Sequence, residues 1–391
     1  MEFTTVGEIN EYRGSSVTPS RFPDTVFETY SVPIFETGHP EYLTGDQIAS
    51  SKQCVEKDDI LLCKINPRIN RVWVVADESD YQNIASSEWI VVRSSKYNPE
   101  YLAWYFRSKK FQTLMVSEVT GIGGSLTRAQ PKRVATYPVP IVERNQQDYI
   151  ATTLNEIASA ISEREKQLDD LDLLIKSHFI EMFGEPIANQ MHWPVKHLKD
   201  MSTLITNGTT PKGGSSNYVA SGIMFLRSQN VWRNKIVLDD VASIDEATHS
   251  RMKKSSLHHK DILITKTGRI NTENSSLGRA ALFLGEDNSA NINGHVYLVR
   301  LDGSVVPEFV VTILTGEAYR KYIRKVCVGG IDKRQINVDH VEDFPIIQPP
   351  IEMQEEFAGF IEDVNGSKVI VQAILDKLRT LLASLMQEYF S

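Results

Sequence analysis

Cysteine is scarce in this sequence, and spacings that hold a metal ion are absent. The 391 residues include only three cysteines, Cys54, Cys63 and Cys327, and none of them forms a CxxC pair. The nine histidines show no HExxH or HxxxH spacing, which would place two ligands on one helix face. An odd and sparse set of cysteines is typical of the reducing cytosol rather than of a disulfide framework. We therefore predict a cytoplasmic protein without a metal site.

The sequence also lacks long apolar runs and nucleotide-binding motifs. No apolar run approaches the roughly 18–20 residues that span a bilayer, and the start MEFTTV has no basic or apolar signal region. No GxGxxG follows a strand, no GKS or GKT marks a phosphate loop, and no pair of acids is marked out for acid–base chemistry. These absences favour a binding protein over an enzyme. An active site assembled from distant residues is the alternative.

Positive charge is in the minority, but it is locally concentrated. The net charge is −8, yet residues 320–334 carry six bases against one acid, and residues 101–133 show the same balance. Residues 143–185 are the reverse, with ten acids and four bases. Because phosphate contact depends on the facing surface rather than on the total charge, the two basic segments are compatible with nucleic-acid binding.

An internal repeat of about 200 residues is the most informative feature that is present. Five motifs recur in the same order: KDDILLCK at 57–64 and HKDILITK at 259–266; NPEYL at 98–102 and VPEFV at 306–310; Gly-Gly at 123–124 and 329–330, followed by Arg128 and Arg334; YPV at 137–139 and FPI at 344–346; and Gln147 and Gln354. Strands are predicted at 72–76, 89–92, 280–284 and 296–299, and helix starts at the two NPE/VPE motifs. The glycine pairs predict a turn in each half. A repeat of this length indicates a duplicated domain.

Each copy ends in a heptad pattern. The apolar-spaced positions in the first copy are Ile150, Leu154, Ile157, Ile161, Arg164, Leu168, Leu171, Ile175 and His178, and those 207 residues further on are Phe357, Ile361, Val364, Lys368, Val371, Leu375, Leu378, Leu382 and Leu385. Such a narrow seam predicts one partner helix, so we expect the two helices to pair as an antiparallel coiled coil. Packing of each helix on its own domain is the alternative. At 1.5 Å per residue each helix would be about 60 Å long and would set the spacing between the domains.

These patterns predict an α+β protein with an internal duplication. We expect one globular domain at 1–142, a long helix at 143–185 that ends at Gly184-Glu185-Pro186, a second domain at 186–349 and a second long helix at 350–391.

Basic and amide side chains cluster in the predicted loops of both domains. The candidate DNA-binding residues are Lys64, Arg68, Arg71, Arg128 and Lys132 in the first domain, and Lys212, Arg227, Gln229, Asn230, Lys266, Arg269, Lys333 and Arg334 in the second. Arg, Gln and Asn can make two-pronged contacts with guanine or adenine edges, and Lys or Arg near glycine suits contact with phosphates. Ordinary solvated loop residues are the alternative for each of them.

Together these features resemble the specificity subunit of type I restriction–modification systems. The resemblance covers nearly the whole chain: the DIL motif at 59 and 261, a glycine pair followed by arginine, Pro-Val-Pro at 138–140 or Pro-Ile-Ile at 345–347, a glutamine, and a long heptad helix. Trp193-Pro194 and Gly208-Thr209-Thr210-Pro211 also resemble the start of a target recognition domain. Each motif is weak alone, whereas their duplicated order is specific.

The resemblance implies a protein without catalysis or a cofactor of its own. Each target recognition domain would read one half of a bipartite, asymmetric sequence in double-stranded DNA. The helix pair, including its acidic residues 143–185, would hold two adenine-N6 methyltransferase subunits, which use S-adenosylmethionine. Restriction subunits, which are translocases driven by ATP and Mg²⁺, would join that complex.

The two halves differ at one predicted contact. Arg227-Ser228-Gln229-Asn230 has no counterpart in the first half, where Glu36-Thr37-Gly38 stands in that vicinity, so we expect the halves to read different sequences. The alternative function is a duplicated scaffold with two protein-binding domains, which the −8 charge favours. An enzyme with two copies of a site would need matched reactive groups, and Lys64 with Lys266 is the best match.

Overall fold

The computed structural model of the chain describes residues 2–76, 78–117, 119, 127–211, 213–272 and 274–391. The predicted turn at Gly123-Gly124 and the candidate Lys212 lie outside these ranges. The chain divides into two compact units, Met1–Glu165 with Gln372–Ser391, and Lys166–Val371. Each unit contains one globular part and one end of each of two long helices.

The α-helices are, in chain order, α1 (Val6–Ile9), α2 (Pro99–Arg107), α3 (Lys109–Ser117), α4 (Pro131–Val134), α5 (Arg144–Phe183), α6 (Glu246–Arg251), α7 (Pro307–Thr315), α8 (Glu317–Val326), α9 (Val338–Glu342) and α10 (Ile351–Phe390). Short 3-10 turns lie at Pro19–Arg21, Phe35–Thr37, Gly45–Gln47, Leu198–Met201, Gly214–Asn217 and Lys253–Ser255. None of the helices in the described ranges combines the length and the apolar character that crossing a bilayer requires.

The strands of the first unit are β1 (Phe3–Thr5), β2 (Ser16–Val17), β3 (Val26–Tyr30), β4 (Glu41–Thr44), β5 (Lys52–Cys54), β6 (Ile60–Cys63), β7 (Val72–Val74), β8 (Gln82–Ala85), β9 (Trp89–Val92) and β10 (Pro138–Pro140). The strands of the second unit are β11 (Val195–His197), β12 (Ser202–Asn207), β13 (Ile223–Leu226), β14 (Val231–Trp232), β15 (Lys235–Ile236), β16 (Ala242–Ile244), β17 (Ile262–Thr265), β18 (Thr267–Arg269), β19 (Ala280–Leu282), β20 (Ala290–Ile292), β21 (Val296–Leu301), β22 (Val328–Gly329), β23 (Lys333–Gln335) and β24 (Pro345–Ile347). The strands predicted at 72–76, 89–92, 280–284 and 296–299 correspond to β7, β9, β19 and β21.

The sheets of the two units repeat the same connections. The first unit has sheets in the order β2-β5-β8-β3-β4 and β7-β6-β9, and the second has β12-β21-β17-β19, β16-β13-β20 and β18-β23-β22. The parallel pair β3–β8 of the first unit returns as β13–β20, and the antiparallel pair β1–β10 returns as β11–β24. β6 and β17, which begin directly after the aspartates of the two DIL motifs, are buried along their whole length. The structure thus confirms the predicted duplication.

Matched buried side chains fix the same frame in both units. Gln147 and Gln354 are each 2% exposed. The Oε1 atom of Gln147 accepts a hydrogen bond from the backbone N–H before Pro99 (2.8 Å), and that of Gln354 accepts one from the N–H before Pro307 (3.1 Å). Each amide also donates to the carbonyl five residues earlier. One glutamine therefore links each long helix to the start of a domain helix.

A second matched pair is ionic. Asp59 and Asp261 are buried before β6 and β17, and each accepts two hydrogen bonds from one guanidinium, that of Arg93 (2.6 and 2.7 Å) or Arg300 (2.8 and 2.7 Å). The Asp59 carboxylate, through these hydrogen bonds, raises the pKa of Arg93 above its ordinary value. A two-pronged Arg–carboxylate contact fixes direction as well as distance, so these pairs orient the strands that carry the candidate lysines.

The long helices α5 and α10 pair along the predicted seam. All eighteen seam positions are buried or half-buried, whereas most of the residues between them are exposed. In the second unit, Lys368 Nζ lies 2.5 Å from Asp172 Oδ1, and the ring of His178 lies 4.2 Å from that of Phe360. From Asp172 to His178 the residue numbers rise along α5, whereas those of their partners on α10 fall from Lys368 to Phe360. The pairing is therefore antiparallel, as predicted.

The outer ends of the helix pair also pack on the domains. In the second unit, Phe179 and Phe183 of α5 contact Phe309 of α7. In the first unit, the Phe390 ring of α10 lies 5.6 Å from that of Tyr101, and Arg379 Nη2 lies 2.6 Å from Glu165 Oε1 across the pair. Pairing of the helices and packing on their own domains, two alternatives in the sequence, therefore occur together.

Candidate nucleic-acid interface

In the second unit, one turn brings predicted loops together. The backbone N–H of Lys266 donates to the carbonyl of His295 (2.9 Å), and the N–H of Asn293 donates to Leu226, which directly precedes Arg227 (3.0 Å). The turn at 293–295 therefore holds the residue that follows β17 beside the loop that follows β13.

The loop predicted at 208–211 reaches the same turn. The N–H of Gly208 donates to the carbonyl of Val296 (3.1 Å), and a Cβ atom at Gly208 would lie 2.1 Å from the carbonyl oxygen of Ile292. A Cβ atom at Gly294 would lie 3.6 Å from Thr210 Oγ1. Glycine at 208 is thus required for the close approach of the two backbones, and the loop at 208–211 lies beside the turn at 293–295 that also holds Lys266.

A small sheet carries the C-terminal basic residues of this site. Thr267, Gly268 and Arg269 of β18 pair with Gln335, Arg334 and Lys333 of β23, and a Cβ atom at Gly268 would lie 2.3 Å from the backbone nitrogen of Leu277. Arg269 and Lys333 are exposed, and Arg269 is 3.4 Å from Asp332. Within the described residues, Arg334 Nε is buried without a hydrogen-bond partner. Arg269 and Lys333, the two exposed cations, lie opposite each other across the two strands and are together suited to an anion.

Another arginine of the same unit, Arg279, was not singled out in the sequence. The Arg279 guanidinium lies 3.9 Å from the ring centroid of Trp232 and donates to the carbonyls of Asn274 and Ser275. Burial lowers the pKa of Arg279, and the nearby positive charges of Arg233 and Arg320 lower it further. The segments that carry these bases lie up to 87 residues apart, so no local motif shows the cluster.

The segment 227–230 has mixed accessibility. Gln229 is exposed, and Arg227 is half-buried and paired with Asp240 at 3.0 Å. Asn230 is 2% exposed: its Oδ1 atom accepts from the Arg227 N–H, and its Nδ2 atom donates to the carbonyls of Val237 and Asp240. Such a buried amide, with its groups occupied by the backbone, has none left for a base edge. The predicted base contact of Asn230 is therefore wrong, and its role is to shape the loop.

The first unit holds its candidate lysine in the same backbone frame. The N–H of Lys64 donates to the Glu88 carbonyl (3.0 Å), as Lys266 does to His295, and the Lys64 carbonyl accepts from Ala129 (2.8 Å), as that of Lys266 does from Ile336 (3.0 Å). Arg128 directly precedes Ala129, whereas Arg334, its counterpart in the sequence repeat, lies two residues before Ile336. The two sites are therefore built alike although their side chains differ.

Two candidate cations of the first site are paired with acids of the chain, as Arg227 and Arg269 are at the second site. Arg128 is 3.2 Å from Glu88, Arg71 is 3.8 Å from Glu36, and Lys64 Nζ donates to the Ser87 carbonyl (2.5 Å). Arg68 and Lys132 are exposed. Glu88 occupies the position that His295 has in the second site, so the second site is the more positive one. Glu88 lies 40 residues from Arg128 in the chain, and only the fold shows that they meet.

Basic side chains of two domain helices were also missed as individual candidates. The exposed face of α8 carries Lys321, Arg324 and Lys325, because Tyr319 and Ile323 face the core. The matched helix α3 begins with the exposed Lys109 and Lys110. The basic runs in the sequence were visible, but the face that each residue takes follows from the packing. Within the described ranges, no group of three His, Cys, Asp or Glu side chains is placed to hold a metal ion.

These features define a class: an internally duplicated α+β protein with a matched basic site in each domain and an antiparallel helix pair. No model of a protein family matches the chain. A curated protein of Methanocaldococcus jannaschii, named as the type I restriction enzyme MjaX specificity subunit, is 21% identical over 200 residues, which are 51% of this chain and 45% of that protein. The chain thus matches less than half the length of this relative.

Two solved structures extend the similarity over the whole chain. A chain from a study of complex assembly and conformational transition in the type I R-M system is 17% identical with a TM-score of 0.56, covering 100% of this chain and 97% of that one. The type I restriction–modification S subunit from M. genitalium is 10% identical with a TM-score of 0.59, covering 100% and 96%. The chain has the fold of type I specificity subunits, and the resemblance seen in its sequence is confirmed.

Proposed function

We propose that this chain is the DNA-recognition subunit of a type I restriction–modification complex. Each domain contacts one half of a bipartite, asymmetric target, and the helix pair holds the halves in register. The observation that carries the proposal is the repeated frame around Lys64 and Lys266, which places a basic site with different side chains in each domain of a duplicated chain. Such an arrangement suits a target whose two halves differ.

The residues of the two sites take different parts in DNA contact. Lys266, Arg269 and Lys333 contact phosphates, which fix the position of the domain but carry little sequence information. Gln229 is exposed, and its amide is suited to a base edge once its Nε2 atom gives up the hydrogen bond that it donates to Asp240. At the first site, Arg68 and Lys132 are the exposed cations, and Arg128 must give up part of its contact with Glu88 to reach a phosphate. We therefore expect the second domain to supply more of the salt-sensitive affinity.

The chemistry of the complex belongs to partner subunits in this proposal. The chain itself contributes recognition and no catalytic group, and two methyltransferase subunits using S-adenosylmethionine dock on it together with ATP- and Mg²⁺-dependent restriction subunits. The exposed acids of α5 support a docking role for that helix. All three cysteines are free thiols, which supports action in the reducing cytoplasm.

The test is to map adenine methylation on random-sequence DNA by the full chain co-expressed with the methyltransferase subunit of its own system. We expect a two-part motif with a fixed unspecified gap. Motif-specific methylation without this chain would refute the recognition role. No methylation with a demonstrably active partner, together with DNA binding that does not depend on salt, would favour the duplicated scaffold instead.

Individual contacts can be tested on the mapped target. Arg269→Ala and Arg334→Ala should each weaken DNA binding by about tenfold, and each should lower the slope of log K against log salt by about 1. Arg251→Ala removes an exposed arginine from the helix α6 of the same unit and serves as the matched control. If both variants keep wild-type affinity and melt normally, the DNA face of the second domain is misplaced.

A further inference from the structure

The hairpin between β22 and β23 ends in an exposed apolar side chain. Ile331 is 91% exposed, although it lies in a described and hydrogen-bonded part of the chain. Val369, the next most exposed large aliphatic residue in the described ranges, is 70% exposed. An isoleucine side chain in water is unfavourable, at roughly 25 cal/mol per Å² of apolar surface relative to burial. A partner outside the chain that covers Ile331 would recover this free energy.

The tip is held in place rather than loose. Gly329 pairs with Arg334 across the hairpin at a φ of 127°, a backbone conformation open to glycine. The Ile270 N–H donates to the carbonyl of Asp332 (2.9 Å), and Asp332 also faces Arg269. Because the residue after Ile331 is fixed to the neighbouring strand, and a β-branched side chain has few rotamers, Ile331 projects in a defined direction.

The segment of the chain that carries this tip is cationic. Lys333 follows it by two residues, and the preceding helix α8 exposes Lys321, Arg324 and Lys325. Six cations in residues 320–334 against one acid make docking of an apolar protein surface here unfavourable, because such docking would desolvate the charges. A polyanion satisfies the cations and leaves only the isoleucine to be matched. In duplex DNA the C5-methyl of thymine is an apolar group on the base edge, and it is exposed in the major groove between the two phosphate backbones.

The dimensions favour one groove. The major groove admits a two-stranded ribbon and displays the C5-methyl of thymine, whereas the minor groove is about 6 Å wide and displays no methyl group. β22 and β23 form a two-stranded hairpin at the edge of the sheet β18-β23-β22, and Ile331 lies in the turn that joins them.

We propose that Ile331 is an apolar base contact, which packs against a thymine methyl in the major groove of the half-target contacted by the second domain. This inference rests on the proposed function. Ile331 then discriminates thymine at one or two positions, while the flanking Lys333 and Arg334 contact the backbone on either side. The sequence of the first half has Ser125 at the matched position, three residues before Arg128, and Ser125 lies outside the described residues.

The test combines a side-chain change with a base change. Full-length wild type and Ile331→Ser, each in complex with its methyltransferase subunit, are measured for affinity on the mapped target and on duplexes with single thymine-to-deoxyuridine replacements. We expect one or two replacements to weaken wild-type binding about fourfold, which corresponds to the ~0.8 kcal/mol of one buried methyl group. The same replacements should leave Ile331→Ser unchanged, because that variant has already lost the contact.

Two controls keep the result specific. Leu284→Ser removes another exposed aliphatic side chain of the same unit, beside Glu286 and Asp287, and should leave every affinity unchanged. Both serine variants should melt like wild type, since neither side chain is buried.

Three outcomes are decisive. Coupled losses at the same thymines support the contact. Equal affinity of Ile331→Ser and wild type on a target that wild type recognises overturns it, and the proposed function then still stands. Weaker binding by Ile331→Ser without any deoxyuridine effect, accompanied by permanganate reactivity of wild-type-bound thymines, indicates a wedge between bases and overturns the methyl contact. If wild type recognises no target, the proposed function itself fails.

Discussion

Replacing Gln354 with alanine should loosen the junction between the second domain and its long helix. The Oε1 atom of Gln354 accepts from the N–H of Val306, and its Nε2 atom donates to the carbonyl of Pro349 (2.9 Å). Val306 directly precedes helix α7, and Pro349 lies two residues before the first residue of α10. An alanine at 354 offers no group to either of them.

The magnitude follows from the burial. An unsatisfied buried donor or acceptor costs about 1–3 kcal/mol, and the substitution creates one of each in a position where Gln354 is 2% exposed. Partial solvation through the vacated space reduces the sum, so we expect a loss of about 3 kcal/mol in the free energy of unfolding. For a unit of about 200 residues this lowers Tm by about 6–12 °C.

Urea unfolding and calorimetry of the full chain measure the effect. Gln147→Ala makes the same change in the first unit and should lower the transition of that unit instead. Gln387→Ala, at an exposed position of the same helix α10, is the control and should alter stability by less than about 0.5 kcal/mol. A Gln354→Ala variant as stable as this control would refute the linking role.

The variant Gln354→Glu tests the same junction with a charged side chain. At neutral pH, Gln354→Glu places a carboxylate that can accept from Val306 but cannot donate to Pro349, and it buries a charge. Burial raises the folded-state pKa of such a carboxyl above its unfolded value. The variant should therefore be most stable below about pH 4 and lose stability as pH rises. The wild type should not show this added loss.

Two further predictions concern the seam and the tyrosines. Leu171→Asp and Leu378→Asp place charges on half-buried seam positions, so each should lower the free energy of unfolding of its own unit by about 2–4 kcal/mol. The exposed neighbours Leu173→Asp and Leu381→Asp are the controls. Equal urea midpoints for seam and control variants would contradict helix pairing. Burial raises the pKa of Tyr105 to about 12 from 10.0, so its neutral form stabilises the fold fully below pH 10 and this contribution is lost as pH rises toward 12. Phenolate absorbance should show that the buried tyrosines ionise only as the protein unfolds. Titration of all fourteen tyrosines near pH 10 with the fold intact would refute the raised pKa of Tyr105.

The duplicated frame was predictable because local sequence patterns determine its elements. The heptad register depends only on spacing along one helix, and Pro99 and Pro307 mark helix starts because proline lacks the N–H that the first turn leaves unpaired. The strands around the two DIL motifs followed from short apolar runs. These elements required no knowledge of their tertiary partners.

The chemistry of the sites was less predictable, because it depends on long-range pairing. An asparagine in a loop can contact a base or cap a turn, and Asn230 does the latter because the chain returns at Val237 and Asp240. The neutralisation of Arg128 by Glu88 depends on a bridge between Ile65 and Arg128. Residue type indicated the class of ligand in these cases, but only the fold decides which side chains reach it.

The division of the chain has a consequence for its synthesis. The second unit is one continuous segment, whereas the first unit is completed by residues 372–391, whose Phe390 lies within 5.8 Å of Tyr105, ring centre to ring centre. Domains commonly fold as they leave the ribosome, but here the domain that emerges first lacks part of its core until the end. A ribosome that stalled before residue 372 would release a chain whose later domain is folded and whose earlier domain is still incomplete.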